Sequence, residues 1–268
     1  MNRFSFKLPA LSPSQWLGAV ILLCIGLFIL LEGWLNQSDS ARQNLSNFLA
    51  APSAEEWLGT DQFGRSMLAR MGDAIRLSLM LSLFCVTTAA VLGTGLGVCA
   101  AWFGGMTERL LNFLANTLLA LPGLVLVLLL AAIAPGSFIV LYLAISLVLW
   151  IEYYRVVRAQ TQVVIRSPQL EASRQLGFGR WYLFRRHIWP AICPSVLTLA
   201  AFGAGNAILA LASIGFVYVG LQPPVAELGL MVVELLPYYS DAPWVLAQPI
   251  LAIFLLILGF NLLAGKAK

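Results

Sequence analysis

Residues 110–151 read LLNFLANTLLALPGLVLVLLLAAIAPGSFIVLYLAISLVLWI, a run of 42 residues without a charged side chain. A helix needs ~20 apolar residues to cross a hydrocarbon layer, so this run is too long for one crossing and suits two. Pro135-Gly136-Ser137 supplies the divide, because proline and glycine together favour a tight connection. The expected spans are 110–134 and 137–157. Pro122 falls inside the first of them, where it frees a backbone carbonyl that neighbouring helices must satisfy. A proline there is more commonly a static kink than a gating hinge; Pro122, Pro135 and Gly136 are the candidate hinge positions.

The pattern repeats on both sides. Trp16–Leu35 carries one charge, Glu32, near its end. It follows Arg3 and Lys7 as a secretory signal would, but it is longer than a signal core and no small-x-small site closes it, so it reads as a retained first span. Leu77–Thr107 is uncharged and holds a second span, 193–219 a fifth and 245–264 a sixth. The fold class expected is all-α and polytopic, with six transmembrane helices. Its divisions are 1–36 (N-terminus and first span), a polar segment 37–73, and a core at 74–264.

Composition supports this reading. Apolar residues make up 60% of the 268, charged residues 10%, and the mean hydropathy is +0.87. A soluble domain of that size could not cover its surface with so little charge. The net charge of +4 is not gathered into a basic stripe with aromatic platforms, so no nucleic-acid partner is expected. Cys24, Cys85, Cys99 and Cys193 lie in or beside apolar runs without a C-x-x-C pair, and His187 is the lone histidine, so no metal site is expected. The triplets Asn36-Gln-Ser38 and Asn44-Leu-Ser46 are read as chance matches to a glycosylation acceptor.

Orientation follows from the retention of Lys and Arg on the cytoplasmic side. An N-in arrangement places Arg3, Lys7, Arg109, Arg155, Arg158, Arg166, Arg174, Arg180, Arg185, Arg186, Lys266 and Lys268 inside, with Arg42, Arg65, Arg70 and Arg76 outside. Both termini are then cytoplasmic.

The largest cytoplasmic loop, 152–186, has its own grammar. Ser167 reads as an N-cap and Pro168 as the first helical residue, where a missing N–H costs nothing. Gly177 reads as the glycine that ends the helix. Between them a nine-residue helix, Pro168–Leu176, would be about 14 Å long. It is too short to be stable alone in water and needs a surface to lie against. A second short helix is expected over Arg180–His187.

Glu171-Ala172-Ser173, then Gly177, then His187-Ile188-Trp189-Pro190 resembles the EAA loop of the permease subunits of bacterial ATP-binding-cassette importers. Ser173 stands where a second alanine is usual. Leu58-Gly59-Thr60-Asp61-Gln62-Phe63-Gly64-Arg65, Gly220-Leu221-Gln222-Pro223-Pro224 and Phe260-Asn261-Leu262-Leu263 resemble further stretches of the peptide and nickel importer group. The similarities cover roughly residues 57–264.

The resemblance implies a type I importer permease fold in the bacterial inner membrane, with a coupling loop at about 158–190. It implies partners too: a second homologous permease, one or two ATPase subunits, a periplasmic or extracellular substrate-binding protein, and lipid. Glu171, Ala172, Ser173, Gly177, Arg180 and Pro190 would belong to the loop that couples to the ATPase, with Glu171, Ala172 and Ser173 meeting its groove and Gly177 allowing the sharp turn. Closure of the ATPases would rock the spans between inward-open and outward-open states. No G-x-x-x-x-G-K-[ST] loop occurs, so ATP with Mg²⁺ would bind the partner and this chain would carry no cofactor and no catalytic residue.

The cargo implied is di- and oligopeptides, with nickel or a metal chelate as the alternative. An ion-coupled secondary transporter would place ionisable groups mid-membrane. Glu32 and Glu152 are instead expected near span ends, and the rival leaves the short capped helix unexplained. A scaffold or assembly factor is the third reading.

Overall fold

A computed structural model of the chain describes residues 12–35 and 39–265. Arg3, Lys7, Lys266, Lys268 and the triplet at Asn36 lie outside the described residues. Among those described, the chain is helical and its only β pairing is an isolated bridge between Thr60 and Ser66. Among the described residues five helices are long and apolar enough to cross a membrane, or six if one sharply bent pair counts as a single span.

The first, α1 (Pro13–Leu35), packs along the last, α10 (Pro243–Ala264). The frame of the molecule is α2 (Met67–Phe103) laid against α5 (Phe138–Ile165). Small residues on α2 let the two backbones close, as membrane helices require when lipid offers no hydrophobic drive between them. A side chain at Gly93 would meet the Trp150 carbonyl oxygen at 2.4 Å. The third long helix of the core, α8 (Trp189–Phe216), crosses both α2 and α5.

Several expected boundaries move. The expected second span began at Leu77 because Arg70, Asp73 and Arg76 look like loop residues, yet α2 starts at Met67 and carries all three. The division between 73 and 74 thus falls inside a helix. At 37 residues α2 is about 56 Å long, well beyond one hydrocarbon thickness. The span expected at 137–157 runs on to Ile165, which leaves Glu152 in the middle of α5 rather than near its end. The fifth span, expected at 193–219, starts at Trp189. The sixth starts at Pro243.

The span expected at 110–134 is not one helix. It divides into α3 (Gly105–Leu118) and α4 (Gly123–Ala131), bent by 78°. Pro122 is therefore not inside a helix but caps α4, with an extended ψ of 131°. The cause is local: proline lacks the donor that would continue α3, and it crowds the residue before it out of the α region. A polar stripe at Glu108, Asn112 and Asn116 holds α3 to α5. Tyr154 donates to Asn112 at 2.9 Å, Arg155 donates to Asn116 at 2.9 Å, and Arg158 pairs with Glu108 at 2.7 Å.

A short helix missed in the sequence, α9 (Leu228–Leu235), follows the loop after α8. The turn at Pro135-Gly136 is tied to that loop, since the Gly136 N–H donates to the Gly220 carbonyl at 3.0 Å.

Candidate functional site

Between α5 and α8 the chain forms α6 (Pro168–Gln175) and α7 (Arg180–Leu183). The sequence marked α6 at both ends. The Ser167 hydroxyl accepts from the Leu170 N–H at 3.4 Å, and Pro168 takes the first turn. At the other end the Gly177 N–H donates to Arg174 and the Phe178 N–H to Ser173, which is a Schellman closure. Gly177 has φ +80°, a conformation that costs an L-residue roughly 1–2 kcal/mol. The helix ends at Gln175, one residue before the expected limit.

One side chain, Leu170, is buried among the residues of α6. Glu171 and Ala172 are exposed, as are Gly177, Arg180 and Pro190, while Ser173 is half-buried. Leu176, Phe178 and Trp181 are large apolar groups held out beside them. The Phe178 and Tyr182 rings stack at 4.3 Å between centroids. A short helix with one anchor and an exposed, partly apolar face is a foot with nothing of its own chain to stand on.

The expected second helix, Arg180–His187, is a single turn. It passes into a π-helical turn, Phe184–Ile188, that leads directly into α8. Such π turns cluster at functional positions. The Ser173 hydroxyl and His187 Nε2 lie 3.0 Å apart, bridging α6 to this π turn. The sequence held both residues but gave no signal that they meet. The Arg180 guanidinium lies 6.0 Å from the centre of the Phe103 ring, at the C-terminal end of α2. Displacement of the foot thus has contacts to both α2 and α8.

At the opposite end of α2 the polar segment is pinned by a buried charge network. Asp61 accepts from the Phe63 N–H at 2.8 Å, from the Arg65 N–H at 2.9 Å and from Arg65 Nε at 2.6 Å. Arg70 also donates to Asp61, and reaches Glu234 of α9 at 2.8 Å. All four side chains are buried. The motif containing Asp61 and Arg65 was visible in the sequence, whereas Glu234 was not. Close by, Glu227 caps α9, accepting from the N–H groups of Gly229 at 2.9 Å and Leu230 at 2.7 Å. Burial pushes its carboxyl up to about 7, against the pull of those two hydrogen bonds.

Against this geometry stand the comparisons with known proteins. Residues 93–266 match the family described as binding-protein-dependent transport system inner membrane component. The chain belongs to that family. It is 34% identical over 251 residues to a probable D,D-dipeptide transport system permease protein of Escherichia coli, covering 94% of this chain and 84% of the relative. It is 32% identical to a dipeptide transport system permease protein of Alkalihalophilus pseudofirmus, covering 94% and 83%. It is 33% identical to a glutathione transport system permease protein of Pectobacterium atrosepticum, covering 81% and 72%.

The protein is therefore a multi-pass membrane permease subunit of an ATP-binding-cassette importer and not an enzyme; the ATPase is a separate subunit. A permease of this family works with an ATPase and a substrate-binding protein. The matched region takes in α6 and its flanks, and also Pro122, Pro135 and Gly136.

Proposed function

We propose that this permease forms half of the translocation pathway for di- and oligopeptides in the bacterial inner membrane. The other half would be a second homologous permease. One or two ATPase subunits dock on α6, and a substrate-binding protein delivers cargo at the opposite end. Both termini are cytoplasmic, ATP with Mg²⁺ stays on the ATPase, and this chain binds no cofactor.

The observation that carries the coupling role is α6 itself, capped at both ends, anchored through Leu170, and exposing Glu171 and Ala172. Small side chains permit close approach to a groove, and Glu171 offers a carboxylate for a basic partner there. The arginines support the orientation. Arg155, Arg158, Arg166, Arg174, Arg180, Arg185 and Arg186 gather toward the end that carries α6, while Arg65, Arg70 and Arg76 lie at the start of α2. Peptide is favoured over nickel because the relatives named above are dipeptide and glutathione permeases.

The test is reconstitution into vesicles with the second permease, the ATPases and the binding protein. ATP-dependent accumulation of a radiolabelled dipeptide is expected, and none without the ATPases. Accumulation by this chain alone, driven by an ion gradient, would overturn the reading.

A further inference from the structure

Glu152 lies midway along α5 and is exposed on the surface of the chain. Fourteen residues separate it from Phe138, so it stands about 21 Å along the helix, within a hydrocarbon layer of about 30 Å. Asn206 is an exposed amide ten residues, or about 15 Å, from Phe216 at the end of α8. The starting points of these two measures adjoin, because the loops beyond Phe138 and Phe216 are joined through Gly136 and Gly220. The two polar groups are thus at similar depth.

They also share a cleft. Glu152 and Asn206 line one cavity of about 280 Å³ between α4, α5 and α8, whose walls include Leu124, Val127, Ile145 and Leu149. Ser213 lines it too, but its hydroxyl is already given to the Leu209 carbonyl at 2.7 Å. Among the described residues Glu152 makes no ion pair, and neither Glu152 nor Asn206 has a hydrogen-bond partner through its side chain. Ionisable groups within the hydrocarbon layer are costly when they face lipid, so they face a bundle interior or a water-filled path and take a partner there. Apolar walls with a few convergent polar groups are the usual form of a small-molecule site.

We propose that Glu152 and Asn206 are the pathway contact for the amino end of the peptide, a role that rests on the peptide-import reading above. Glu152 receives the terminal ammonium, the one cationic group every unblocked peptide carries, and the Asn206 amide donates to the first peptide carbonyl. The apolar walls tolerate varied side chains, so the pair recognises the feature common to all cargo.

The experiment uses the complete transporter in vesicles, with wild type, Glu152→Gln, Glu152→Asp and Asn206→Ala, and radiolabelled dialanine delivered by the binding protein. Co-purification with the second permease is measured on each variant. We expect Glu152→Gln to assemble as wild type does but to lose at least tenfold in uptake at subsaturating peptide. Glu152→Asp should keep most of the uptake, and Asn206→Ala should lose about threefold. Uptake by Glu152→Gln within twofold of a transporting wild type would overturn the assignment alone. So would failure of Glu152→Gln to assemble, since the carboxylate would then pair with a cation of the second permease. Wild-type vesicles that take up no dialanine would instead remove the peptide reading on which it stands.

Discussion

Arg70, in the first turn of α2, bridges two elements far apart in the chain, donating to Asp61 in the polar segment and to Glu234 of α9 at 2.8 Å. The two carboxylates are tolerable in a buried place because this guanidinium, with Arg65, faces both. A pair of this kind adds little when complete, yet removing one partner strands a buried charge.

Arg70→Ala is therefore expected to destabilise the purified permease by about 3 kcal/mol or more. Arg42 is the control, being exposed and outside this network. Arg42→Ala should cost less than about 1 kcal/mol. Thermal unfolding in detergent checks both, and equal losses would show that the buried network holds nothing together.

Glu227 gives the stability a pH dependence of defined sign. Its carboxyl keeps its proton up to about 7 in the fold, against 4.5 for the ordinary group. The folded state thus binds more protons than the unfolded chain between these values, and stability falls as pH rises from about 4.5 through 7. The contribution is full below the lower value and lost above the upper one, of order 3 kcal/mol at most. Glu227→Gln should flatten this part of the curve in thermal unfolding between pH 5 and 8. A curve unchanged in the variant would assign the slope to another group.

Gly93 tests the α2–α5 seam. A leucine there would drive into the Trp150 carbonyl, while Gly95, two residues on, faces open space. Gly93→Leu is expected to cost about 1–3 kcal/mol or to prevent folding, and Gly95→Leu to be tolerated. The yield of monodisperse protein after solubilisation separates the two, and similar yields would mean that the seam opens without penalty.

How far the fold could be read from sequence depended on the kind of signal. Uncharged runs gave the long helices, because lipid demands continuous apolar length. The cap residues Ser167, Pro168 and Gly177 located α6 to within one residue, because each acts on its own backbone. What failed was whatever depends on a partner distant in the chain. Arg70 and Arg76 look like loop residues until Glu234 and Glu32 are brought beside them. Glu152 looked terminal because α5 continues into polar sequence without a stop signal. The break at Pro122 was read as a kink in one span, since sequence alone gives no angle. Ser173 and His187 were both in view, fourteen residues apart, with no periodicity to join them.

The foot has its own mutational expectation. Glu171→Lys reverses the one carboxylate on the exposed face of α6, and Gly177→Asp puts a side chain and a negative charge at φ +80°, where glycine closes the helix. Each is expected to abolish peptide uptake while leaving the protein in the membrane at normal abundance. Uptake at the wild-type rate in either variant would separate α6 from coupling.

The most direct measurement places a single cysteine at Ala172, with Cys24, Cys85, Cys99 and Cys193 replaced, and labels it with a membrane-impermeant maleimide. Labelling is expected in inverted membrane vesicles and not in intact spheroplasts, and the bound ATPase should protect the thiol. A thiol that reacts from outside intact spheroplasts, or that the ATPase leaves fully reactive, contradicts the reading of α6 as the cytoplasmic foot through which the ATPase drives transport.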